Sequence, residues 1–90
     1  MPDDLASRSM ILARIQTVAA DILNNPSLFL TENTTAADVS GWDSLSHVQI
    51  VVGVEIAFGM RMTSTEVAQL ENVGSMIDLV EAHQAKTAGA

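Results

Sequence analysis

The chain has no cysteine, and that alone excludes a disulfide scaffold, a thiolate zinc site and a cysteine nucleophile. Aromatic residues are scarce, at 3%, and are confined to Phe29, Trp42 and Phe58. The core must therefore come from Leu, Ile, Val, Met and Ala, a usage that favours helices over an aromatic-rich sandwich. Lys and Arg together number four against eleven Asp and Glu, for a net charge of −7. So few cations cannot neutralise a run of phosphates, which excludes nucleic acid, and they do not suit an anionic lipid leaflet. No apolar run approaches the roughly 18 residues of a membrane span, and the N-terminus lacks a basic stretch followed by an apolar one. The expectation is a cytoplasmic protein without membrane insertion.

What is present is a 90-residue chain, 48% hydrophobic, which is enough for one core and not for two. A first helix is expected from a cap at Asp3 or Asp4. Ile11, Ile15, Val18 and Ile22 form its stripe, with Leu12, Ala19 and Leu23 beside them and Arg8, Arg14, Gln16, Thr17 and Asp21 off it. Asn24-Asn25-Pro26 stops it, because Asn tolerates a left-handed cap and Pro disfavours helix in the residue before it. The segment from Pro26 to Trp42 has no sustained period. Leu28, Phe29, Leu30, Val39 and Trp42 are expected to peg it to the helices, with a short turn near Ala36–Val39.

A second helix is expected from about Ser44 to about Phe58. At roughly 100° per residue, Ile50, Val51, Val54, Ala57 and Phe58 share one face, while Leu45, Val48, Val52 and Ile56 share the opposite one. A helix apolar on both sides is either buried all round or offers its second face to a partner, and a small domain has little room to bury one completely. Gly59 ends this helix, and Met60 and Met62 drop towards the core around Arg61, as Met10 and Met76 are also expected to do. Thr63 and Glu66 match a capping box for a short helix through about Leu70. Asn72 caps a last helix with Val73, Met76, Ile77 and Val80 as its stripe. Lys86 lies near its end and residues 87–90 are read as a tail. The fold expected is all-α: a four-helix bundle of three main helices and one short one, in a single domain, with a long loop between helices I and II.

The sharpest local feature is Gly41-Trp42-Asp43-Ser44-Leu45, where the long loop meets the second helix. Ser44 falls in the first turn, where free N–H groups and the helix dipole favour a phosphate, and either Asp43 or Ser44 can serve simply as the N-cap. A Ser44–His47–Asp43 hydrolase arrangement is excluded, because Asp43 cannot reach the far side of His47 to orient it. His47 is read as a partly buried structural residue and His83 as a solvated one. Two distant histidines and no cysteine leave no metal site.

Gly41-Trp42-Asp43-Ser44-Leu45 followed by an apolar helix resembles the acyl carrier protein family of acyl, peptidyl and aminoacyl carriers. Three further segments resemble that family in order and spacing: Leu30-Thr31-Glu32-Asn33-Thr34-Thr35 in the first loop, Phe58-Gly59-Met60-Arg61-Met62 after helix II, and Leu70-Glu71-Asn72-Val73-Gly74-Ser75-Met76-Ile77 before the last helix. The resemblance implies a protein that is not an enzyme. It makes Ser44 the attachment residue for 4′-phosphopantetheine donated by coenzyme A, with Trp42, Asp43 and Leu45 as its neighbours. It also implies a phosphopantetheinyl transferase, a loading ligase or transferase and downstream enzymes as partners of a monomer, docking on Leu45, Val48, Gln49, Val52, Glu55 and Ile56. Fatty-acid carriers in the family have an acid-rich second helix, whereas Ser44–Gly59 holds one acid, Glu55. That departure points to a dedicated biosynthetic carrier, of acyl or of aminoacyl or D-alanyl cargo, and away from housekeeping fatty-acid synthesis. The alternative from another class is an acidic helical adaptor without a prosthetic group.

Overall fold

In the computed structural model the backbone is described for residues 4–88 and the side chains for residues 7–85. Four helices follow one another, α1 (Asp4–Ile22), α2 (Ser44–Phe58), α3 (Ser64–Ala68) and α4 (Val73–Ala88), with a 3-10 turn at Ala36–Asp38 inside the long loop. The described residues contain no strand, and the expected bundle of three long helices and one short one is what forms.

Each boundary has a local cause. Asp3, one of the two candidate caps of α1, lies outside the described residues, and Asp4 is the first residue of the helix. At the other end Asn24 adopts φ 52°, and the Asn25 N–H reaches back to the Ala20 carbonyl at 2.9 Å, which closes the helix in a left-handed cap. Gly59 does the same for α2 at φ 62°. Thr63 and Glu66 form the reciprocal capping box of α3, 3.1 Å in one direction and 2.8 Å in the other. That helix stops at Ala68, two residues before Leu70, because Gln69 and Leu70 close with the tighter i→i−3 bonds. Asn72 caps α4, accepting from the Ser75 N–H at 2.8 Å. This last helix continues through Thr87 and Ala88, two residues expected in the tail; Gly89 and Ala90, and the side chain of Lys86, lie outside the described residues.

The core joins Ile11, Ile15 and Ala19 of α1 to Ile50, Val51 and Val54 of α2 and to Val73, Met76, Ile77 and Val80 of α4. Helices α1 and α2 approach closely at Gly53, where a Cβ would stand 2.6 Å from the Val18 Cγ1 atom. Two expected core residues are outside. Met10 is 73% exposed because it lies about 100–180° around the helix from the Ile11–Ile15–Ala19 stripe. Phe29 is 77% exposed: its neighbours Leu28 and Leu30 both point inward, and successive side chains of an extended segment point to opposite sides. Val39 is half-buried and Trp42 buried, as expected.

The long loop is held by polar ties as much as by apolar pegs. Gln16 of α1 accepts from the Leu30 N–H at 2.8 Å. The first N–H groups of α4 grip loop carbonyls, Val73 that of Thr34 at 2.9 Å and Gly74 that of Glu32 at 2.8 Å. Gly74 suits this close approach, because a Cβ would sit 3.0 Å from the Glu32 oxygen and the loop would have to shift by a few tenths of an ångström. Arg8 then connects three elements. Its guanidinium donates to Glu32 in the loop at 3.1 and 2.5 Å, and to Asp78 and Glu81 of α4 at 2.8 and 2.7 Å.

This network fixes the sign of the acid response. Arg8 holds the Glu32 carboxyl below the ordinary value of 4.5, and backbone N–H donors likewise lower Asp38, Asp43 and Glu66. Folded carboxyls that release protons more readily than unfolded ones stabilise the fold above the unfolded values, and that stabilisation is lost as pH falls through the folded ones. The urea midpoint is therefore expected to fall between pH 6 and pH 3.5, and to fall less in Arg8→Gln, where Glu32 loses its partner. Equal acid losses in the two proteins would show that the Arg8 network does not couple the loop to the helices.

Candidate functional site

The loop enters α2 through a short series of constraints. Gly41 sits at φ 87°, a left-handed conformation that turns the chain. The Trp42 N–H then donates to the Val39 carbonyl at 3.2 Å, and the Trp42 ring is buried to 9% exposure. Asp43 is the N-cap: its backbone is extended, and its carboxylate accepts from the Ser46 N–H at 2.9 Å. That hydrogen bond is the main reason its carboxyl is held below the usual value, so it is an anion at neutral pH. Ser44 is the first helical residue. It is exposed, and its hydroxyl makes no hydrogen bond among the described residues.

His47, the fourth residue of α2, is half-buried, and its Nδ1 accepts from the Trp42 indole N–H at 3.0 Å. The two rings are tilted at 34° with centroids 6.3 Å apart. An indole N–H can only donate, so Nδ1 carries no proton in this contact and the ring proton sits on Nε2. With Nδ1 engaged and Asp43 committed to Ser46, the three side chains form no nucleophile–base relay. No group of three or more potential metal ligands occurs among the described residues. His83 departs from expectation: it is half-buried, with Nε2 3.4 Å from a Glu66 oxygen, so it bridges α4 to α3.

The two faces of α2 separate as the angular arithmetic predicts. Ile50, Val51 and Val54 are buried, while Leu45, Val48, Val52 and Ile56 are 69, 57, 45 and 76% exposed. These exposed side chains run from Ser44 along one side of the helix. Val48, Gln49, Val52, Gly53 and Ile56 line a shallow open groove of about 460 Å³ with Ile22 of α1. Glu55 behaves differently from its expected neighbours. It is half-buried and accepts from the Met62 N–H at 2.7 Å, which ties the end of α2 to the segment after it. Its carboxylate serves the fold, leaving Leu45, Val48, Gln49, Val52 and Ile56 as an uncharged strip.

Residues 13–80 match the family model described as "Phosphopantetheine attachment site". The chain belongs to that family, the acyl carrier proteins. It is 33% identical over 72 residues to the acyl carrier protein of Saccharopolyspora erythraea, covering 80% of this chain and 76% of that one. Identity to the acyl carrier protein of Rubrobacter xylanophilus is 31% over 77 residues, covering 86% and 95% of the two chains. Among solved structures, the solution structure of holo acyl carrier protein from Geobacter metallireducens superposes with a TM-score of 0.80 at 30% identity, covering 88% of this chain and 91% of that one. An acyl carrier protein is not an enzyme, and its prosthetic group is covalently attached 4′-phosphopantetheine. Membership overturns the alternative of an adaptor without a prosthetic group, which rested on the two-faced helix and the acidic charge. No described helix of this acyl carrier protein is long and apolar enough to cross a membrane.

Two features of the site are not legible in the local pattern. Trp42 is buried as a peg and His47 is half-buried, both as expected, but their pairing is not, although they stand at the two positions that flank a helix N-terminus in the staple motif. Arg8, expected only to lie off the apolar stripe of α1, ties the middle of the loop at Glu32 to α1 and α4.

Proposed function

We propose that Ser44 is the residue through which the phosphopantetheine group is attached, and that the apolar strip beside it receives the partner enzymes. The observation that carries this reading is an exposed, hydrogen-bond-free hydroxyl on the first residue of a helix whose second apolar face is uncovered. The residues fit the group. A phosphodiester on Ser44 would lie at the positive end of α2, where free N–H groups favour an anion. Asp43 opposes that charge, but its carboxylate is turned to the Ser46 N–H.

When bound, the group supplies a terminal thiol that holds the cargo as a thioester. The protein's own contribution is to present Ser44 on a capped, fixed helix end and to offer Leu45, Val48, Val52 and Ile56 to whichever enzyme acts on the cargo. Docking through apolar contact with little charge is the basis for assigning this carrier to a dedicated biosynthetic pathway in preference to housekeeping fatty-acid synthesis. The names of its relatives favour acyl over aminoacyl cargo.

Incubation of the apo protein with coenzyme A and a broad-specificity phosphopantetheinyl transferase tests the attachment. Intact-protein mass spectrometry should show one added arm on the wild type and none on Ser44→Ala. Addition to the alanine variant, or none to the wild type under conditions that modify a known carrier, would overturn it.

A further inference from the structure

The Trp42–His47 hydrogen bond occupies a defined place in helix geometry. With Asp43 as N-cap, Trp42 is the residue just before the cap and His47 the fourth residue of the helix. Side chains at these two positions commonly meet as an apolar staple that fixes the angle at which the chain enters the helix. Here the staple is a single N–H···N hydrogen bond of 3.0 Å with a donor that cannot be anything else. It brackets Asp43, Ser44, Leu45 and Ser46, the cap and the first helical turn. On the inner side Trp42 and His47 line a small cleft with Thr34 and Ala36 of the loop, Leu70, Glu71 and Asn72 of the α3–α4 connection, and Val73 and Met76 of α4.

We propose that Trp42 and His47 form a proton-sensitive staple that positions Ser44. Neutral imidazole offers Nδ1 as an acceptor and closes the staple. Protonation places an N–H on Nδ1, opposite the indole N–H, and two donors cannot bond to each other. The staple then opens, and the turn that carries Ser44 loses the contact that fixes its direction. The charged groups around His47 are Asp43, one turn back on its own helix, and Glu71, across the cleft; the remaining lining residues do not titrate. Both residues act as positioning residues, since neither touches the reacting atoms. The functional consequence rests on the reading of Ser44 as the attachment residue.

Trp42 is the single tryptophan of the chain, so its indole N–H gives one assignable NMR signal. In the apo wild type, protection of that proton from exchange, relative to free indole at the same pH, is expected to fall about two- to tenfold between pH 8 and pH 5, the loss of one net hydrogen bond. The fall should track the titration of the His47 ring protons. In His47→Gln, whose side-chain oxygen can accept at every pH, protection should stay level. A second arm compares arm-transfer rates: the ratio of wild type to His47→Gln, which cancels the transferase's own pH response, should decline over the same range. Level protection in the wild type while His47 titrates, a parallel fall in His47→Gln, or a His47 that stays neutral down to pH 5 would each overturn the staple. If Ser44→Ala still accepts the arm, the attachment reading fails while the indole titration continues to judge the staple by itself.

Discussion

Ile50→Ala is expected to lower thermal stability more than any change on the exposed side of α2. Ile50 is fully buried at the centre of the core formed by α1, α2 and α4. Truncation removes its transfer free energy and leaves a cavity in a core rich in β-branched Ile and Val, side chains with little rotamer freedom to collapse inward. The loss should be about 2–5 kcal/mol. A domain of this size has about 5–15 kcal/mol in total, and the melting temperature should fall by something on the order of 10–30 °C. Thermal unfolding followed by circular dichroism measures it. A shift no larger than that of a surface substitution would mean that the buried and exposed faces of α2 are assigned the wrong way round.

Val48→Asp is expected to do the opposite. Val48 is 57% exposed and lines the groove between α1 and α2, so an aspartate there stays hydrated in the free protein. Its effect on the melting temperature should be small, within what helix propensity alone produces. Docking against an apolar surface is another matter, because the new carboxylate loses its water and finds no partner. Arm transfer by a phosphopantetheinyl transferase should slow by about tenfold or more, the scale of a central interface residue. Equal rates for Val48→Asp and wild type would remove the strip from the docking surface; a large loss of stability would make it core.

Much of this fold is written in short-range sequence signals. The boundaries of α2 follow from Asp43, an acceptor placed to cap, and Gly59, free to turn left-handed, and the structure places the helix between them. Its two faces follow from angle alone, since Leu45, Val48, Val52 and Ile56 can share a side only by pointing away from Ile50 and Val54. Other features depend on contacts that no local pattern contains. Arg8 meets partners 24, 70 and 73 positions away, and nothing near it in sequence distinguishes it from a solvated arginine. Phe29 is exposed because an extended segment alternates its side chains between Leu28 and Leu30, a constraint that hydrophobicity alone does not carry. Glu55 lies beside the strip by helix position, but the turn that brings the Met62 N–H to its carboxylate has no local signal. The resemblance that names Ser44 is sequence information of a different kind, and the helix N-terminus around Ser44 gives it a physical rationale.

The most direct test of that rationale is where the arm is joined. Ser46 stands two residues beyond Ser44, half-buried, with its N–H held by the Asp43 carboxylate. Fragmentation mass spectrometry of the holo protein, on the peptide spanning both serines, locates the modification to a single residue. The expected result is the phosphopantetheine mass on Ser44 with Ser46 unmodified. An arm found on Ser46, or on any serine away from the start of α2, would contradict it.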